Sequence, residues 1–107
     1  MKYVEEYDVE LDMVFEIPEL DSAGYEEMDE FLAAHEAEIQ AAVLSALWNA
    51  AELGLDRIPV FVVKGVNSVV SLVREDFQQK LDSCLEYFTR VEEYEICATL
   101  TQIAKKL

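Results

Sequence analysis

Between Tyr25 and Leu53 the chain reads YEEMDEFLAAHEAEIQAAVLSALWNAAEL, and no other stretch restricts the fold as strongly. Met28, Phe31, Leu32, Ile39, Val43, Leu47, Ala50 and Leu53 recur at three- and four-residue spacing, which makes one face of a helix. Ala37, Ala41, Leu44, Trp48, Ala51 and Leu55 run beside them as a second stripe. Only Glu38, Ser45, Asn49, Glu52 and Asp56 form a polar strip over the second half, so that half is expected to touch two neighbours at once. A second subunit is one candidate neighbour, with Leu44 and Trp48 as the self-association contacts of a homodimer. A continuous helix over this stretch would be about 43 Å long, so a break is expected near Ala33 to His35. Gly54 then ends the helix as its C′ residue. His35, the only histidine, shares the side of Leu32 and Ile39 and is expected to be packed and hydrogen-bonded.

Upstream, Tyr7, Val9, Leu11, Met13, Phe15 and Ile17 alternate with Asp8, Glu10, Asp12 and Glu16. A two-residue period is the pattern of a half-buried strand, here Tyr7 to Ile17, with its carboxylates in a row about 6.6 to 6.8 Å apart on the face opposite the apolar side chains. Pro18 is expected to end that strand, and Asp21, Ser22 and Gly24 to supply the turn and helix cap.

Ile58 to Val63 and Val69 to Val73 are runs rich in β-branched residues and read as a hairpin, with Gly65, Asn67 and Ser68 in its turn. The VFVV run has no alternation, so both faces of its strand are expected to be covered. Asp76 with Gln79 reads as a capping box opening a helix along Phe77, Leu81, Cys84, Leu85 and Phe88. Thr89 with Glu92 reads as a second box before a last helix from about Val91 to Lys106, cored by Ile96, Leu100, Ile103 and Leu107. The expected fold is α+β over a single domain, residues 1–107: a three-stranded antiparallel sheet, a long central helix and two C-terminal helices, in the order β-α-β-β-α-α.

Charge narrows the function. The chain holds 23 acids against 8 bases, for a net charge of −15. Residues 1–38 contain 14 of the acids and one base, Lys2, a local balance of −13, while the rest holds 9 acids and 7 bases. Self-repulsion on this scale costs stability, and solubility alone does not require it to be so uneven. Direct nucleic-acid binding is disfavoured, because lysines and arginines dominate it. No catalytic residue, cofactor or metal is expected: one histidine, no nucleophile paired with a base, no phosphate loop and no EF-hand loop are present in the sequence. Cys84 and Cys97 have no metal or redox spacing and are expected to be buried, reduced thiols. The acidic start is unlike a signal peptide and no long apolar run occurs, so a cytoplasmic protein without membrane contact is expected, in the host cytoplasm if phage-encoded.

These features favour a small non-enzymatic protein that covers the basic, nucleic-acid-binding surface of a partner protein, its carboxylates imitating a phosphate row, in the manner of a phage anti-restriction or anti-CRISPR inhibitor. The candidate contacts are Asp8, Glu10, Asp12 and Glu16 on the strand, with Glu26, Glu27, Asp29 and Glu30 in the first helical turns. An immunity protein or antitoxin covering a nuclease toxin is one alternative. A regulatory or structural homo-oligomer, charged only for solubility, is the other.

Overall fold

The computed structural model describes residues 2–66 and 68–107. Its elements run β1 (Lys2–Asp8), β2 (Met13–Asp21), α1 (Met28–Ala34), α2 (Glu36–Leu53), β3 (Arg57–Lys64), β4 (Ser68–Val73), α3 (Arg74–Arg90) and α4 (Tyr94–Lys106). The fold is α+β, with a four-stranded sheet in the order β1-β2-β3-β4. β1 pairs antiparallel with β2, and β2 pairs parallel with β3. The sheet is therefore mixed and has four strands, not the expected three antiparallel ones, and the element order β-β-α-α-β-β-α-α replaces β-α-β-β-α-α. Parallel neighbours need a long crossover, which α1 and α2 provide.

The correction originates in one segment. Residues 9–12 form a turn, so the expected strand from Tyr7 to Ile17 is the tip of a hairpin. Asp12 adopts a left-handed φ of 52°, which aspartate tolerates better than most residues. Asp8 Oδ1 accepts the Leu11 N–H at 3.0 Å, closing the turn with a side chain. Pro18 does not end β2; it pairs with Tyr3, and the ladder to β3 begins one residue later at Glu19 opposite Val62. A missing N–H is tolerated just outside a ladder.

Contacts divide the chain into two compact units, Met1–Ala42 with Pro59–Ser71, and Val43–Ile58 with Leu72–Leu107. In the first unit, Phe15, Ile17, Leu20, Phe31, Val60, Phe61 and Val63 are buried. β3 is buried over Ile58–Phe61 and at Val63, whereas Val62, within the VFVV run expected to be covered on both faces, is half-buried. Gly65 has φ +104°, and a Cβ there would meet Ser22 Oγ at 3.1 Å, so this turn requires glycine. Asn67, assigned to the same turn, lies outside the described residues.

The long helix is broken where expected, with His35 as the C-cap of α1. α1 starts at Met28, the first residue of the apolar stripe and three residues after the start of the expected helical stretch at Tyr25, and neither Asp21 nor Ser22 caps it. Asp21 Oδ1 instead accepts the Ala23 N–H at 2.8 Å, and Ser22 Oγ donates to the Lys64 carbonyl at 2.9 Å. His35 packs among rings, 4.9 Å from Phe31 and 5.8 Å from Tyr25, with Nδ1 3.1 Å from Glu38 Oε1.

In the second unit, Val43, Ala46, Leu47 and Ala50 bury one face of α2. Gly54, at φ +65°, closes the helix as the C′ residue, with the Leu55 N–H donating to the Ala50 carbonyl at 3.0 Å. Phe77, Leu81, Cys84 and Phe88 of α3 and Leu100 and Ile103 of α4 are buried, as their spacing implied. Leu85 is exposed. Both cysteines are thiols, Cys84 buried and Cys97 half-buried. Burial pushes the Cys84 thiol up to about 11 against the opposing charge of Lys80, which leaves it a poor nucleophile at neutral pH.

Neither capping box forms. α3 begins at Arg74, ahead of Asp76, and α4 at Tyr94, with no side-chain cap bond at either start. Thr89 Oγ1 lies instead 3.4 Å from Cys97 Sγ. α3 ends through Glu92 in the left-handed region at φ 63°, with the Glu93 N–H donating to the Phe88 carbonyl at 2.8 Å. Glycine is the residue such a cap favours. Glu92→Gly is therefore expected to raise stability by about 0.5–1 kcal/mol, the relieved strain outweighing the extra freedom of the unfolded chain. Urea denaturation gives the check, and a lower midpoint would contradict this account of the cap.

Candidate partner-binding surface

Most of the excess charge falls within one unit. Met1–Ala42 with Pro59–Ser71 holds 14 acids against two bases, Lys2 and Lys64, a balance of −12. Lys2 sits 3.6 Å from Glu19 Oε1, so one of those two cations is already engaged. Among the described residues no polar or charged side chain is buried, which puts the carboxylates within reach of a partner.

The single carboxylate row expected on one strand does not exist. Asp8 ends β1 opposite Met13, on the face that carries Phe15 and Ile17, and Glu16 points to the other face. Glu10 and Asp12 belong to the connecting turn. The register explains the change, since directly paired residues share a face and alternate residues change sides. Tyr7, expected beside Phe15 and Ile17, is on the solvent face with Glu16 and is exposed. Its hydroxyl donates to Asp12 Oδ1 at 2.6 Å. Holding that proton for Asp12 raises the Tyr7 hydroxyl above its ordinary value, with smaller contributions from burial and from the charge of Asp8.

Two of the predicted contact residues therefore also shape the turn: Asp8 binds its backbone and Asp12 its neighbouring ring. Glu10 and Glu16 are exposed. Glu26 and Glu27 lie exposed in the segment before α1, and Asp29 and Glu30 are exposed in its first turn, where the helix dipole favours acids. Of the self-association candidates, Leu44 is half-buried and Trp48 is 42% exposed. Lys106 Nζ stands 5.5 Å from the centre of the Trp48 ring and is ion-paired with Glu52.

Glu5, Tyr3 and Tyr7 were not among the residues expected at the surface. Their signal is the alternation Tyr3, Glu5, Tyr7, which becomes legible only once Val9–Asp12 is known to be a turn. The pairing sets Glu5 directly opposite Glu16. Like charges so placed are destabilising by roughly 0.2–1 kcal/mol. Glu16→Lys is expected to stabilise the protein by a similar amount, read as a higher urea midpoint, and no gain at low salt would argue against this register.

No helix in the described residues is long and apolar enough to cross a membrane. Nor does any group of three or more His, Cys, Asp or Glu side chains among them gather as metal ligands. Comparison of the chain with protein-family models, curated proteins and solved structures gives no match.

Proposed function

We propose that this protein is a non-enzymatic cover for a basic, nucleic-acid-binding surface of a partner protein. The observation that carries the reading is the concentration of charge: 14 acids against two bases in one compact unit of the chain. A field of one sign over such a patch attracts an oppositely charged protein surface and repels nucleic acid. Carboxylates on the hairpin, its turn and the start of α1 then occupy lysines and arginines that otherwise neutralise phosphates. An inhibitor of a defence nuclease or CRISPR effector and an immunity protein for a nuclease toxin use the same chemistry, and the partner's identity separates them.

The test is capture from a lysate of the source host on the immobilised full chain, with mass spectrometry, followed by elution with duplex DNA. A nucleic-acid-binding protein released by DNA and by salt is the expected result. A partner that DNA leaves bound, or direct binding of DNA to the chain, would count against the reading.

A further inference from the structure

We infer that the solvent face of the β1–β2 hairpin is a docking surface for arginine side chains of the partner. This rests on the reading above and specifies which cation the covered surface presents. Three cross-strand rungs build the face: Tyr7 opposite Val14, Glu5 opposite Glu16, and Tyr3 opposite Pro18, a rung in which Pro18 is buried and only Tyr3 is exposed. Successive rungs on one face are about 6.8 Å apart. The acidic rung thus lies between two apolar ones.

Exposure sets this face apart from an ordinary solvated strand. Tyr3, Tyr7 and Val14 are 52%, 53% and 59% exposed, although they are large apolar side chains side by side on a sheet. Glu5 and Glu16 repel each other across the ladder, and neither side chain has an ion pair or hydrogen bond among the described residues. Both features cost the isolated protein stability, and a guanidinium removes both costs. Set between the carboxylates, it cancels their repulsion with charge-assisted hydrogen bonds, and its plane stacks on a tyrosine ring. A lysine ammonium offers charge without the plane or the fork of donors. The hydrogen bond from Tyr7 to Asp12 fixes one ring in advance, which lowers the ordering cost of binding.

The experiment uses the full chain with octa-arginine and octa-lysine peptides, followed by calorimetry at about 150 mM salt. Octa-arginine is expected to bind about tenfold more tightly than octa-lysine. The double variant Tyr3→Ser, Tyr7→Ser is expected to lose that preference, and Tyr3→Phe, Tyr7→Phe to retain it. Should the serine double variant fail to fold, Tyr3→Ser alone gives the same readout, because the Tyr3 hydroxyl makes no hydrogen bond among the described residues. Glu5→Gln, Glu16→Gln is expected to weaken octa-arginine binding more than the charge-matched pair Glu75→Gln, Glu86→Gln. Equal affinity for the two peptides, a preference that survives the serine variants, or equal losses in the two glutamine pairs each overturns the inference. If duplex DNA displaces the captured partner while the peptides bind alike, the covering function stands and only this face is rejected. If DNA leaves the partner bound, the function itself fails, whatever the peptides do.

Discussion

Converting Glu10, Glu16, Glu26, Glu27 and Glu30 together to glutamine is expected to slow association with the partner by about 10- to 100-fold at low salt. All five side chains are exposed, so the change removes charge and leaves the buried apolar faces untouched. Asp8 and Asp12 are left in place because they hold the hairpin turn and the Tyr7 ring. Their neutralisation would mix a folding effect with a binding effect. Charges at the rim of an interface act mainly on the association rate. The difference between wild type and variant should accordingly shrink as salt rises from about 50 to 500 mM and the Debye length shortens from roughly 14 to 4 Å. Stopped-flow or surface-binding kinetics across that range give the measurement. An unchanged association rate in a folded variant would remove these carboxylates from the function, and Trp48→Ala would then test the homo-oligomer by its effect on assembly.

The second large effect is on stability. Leu47 is 0% exposed in the middle of α2, and Leu47→Ala is expected to cost about 2–5 kcal/mol through lost burial and the cavity it leaves. Domains of this size are stable by only about 5–15 kcal/mol, so the variant should unfold at a much lower urea concentration. Leu53, in the same helix, is 51% exposed. Leu53→Ala is expected to stay within roughly 0.5 kcal/mol of wild type. Equal losses at the two positions would mean that the buried face of α2 is misassigned. The pair also addresses the sequence stripe from Met28 to Leu53, which treats the two leucines alike.

Local chemistry explains what was legible in the residues alone. The break at His35, the cap at Gly54, the buried faces of α3 and α4 and the double-sided burial of β3 over Ile58–Phe61 all follow from short-range spacing or from a single backbone conformation. The hairpin at residues 9–12 did not. Val9, Glu10, Leu11 and Asp12 continue the two-residue alternation straight through a turn, with no glycine or proline to mark it. What bends the chain is a pair of aspartates whose role depends on where their side chains reach. The capping boxes failed for the opposite reason: a favourable local motif gave way to helices that begin elsewhere.

The sequence by itself determined the α+β class, the apolar helix faces and the crowding of acids into the first 38 residues, because composition and period require no partner strand. Only the tertiary structure decided the fourth strand, the parallel pairing of β2 with β3 and the face on which each carboxylate stands. Strand pairing joins segments far apart in the chain, and a shift of one residue sends every side chain to the opposite face. Ending β1 at Asp8 and restarting at Met13 therefore put Asp8 on the side of Phe15 and brought Tyr3, Glu5 and Tyr7 out beside Glu16.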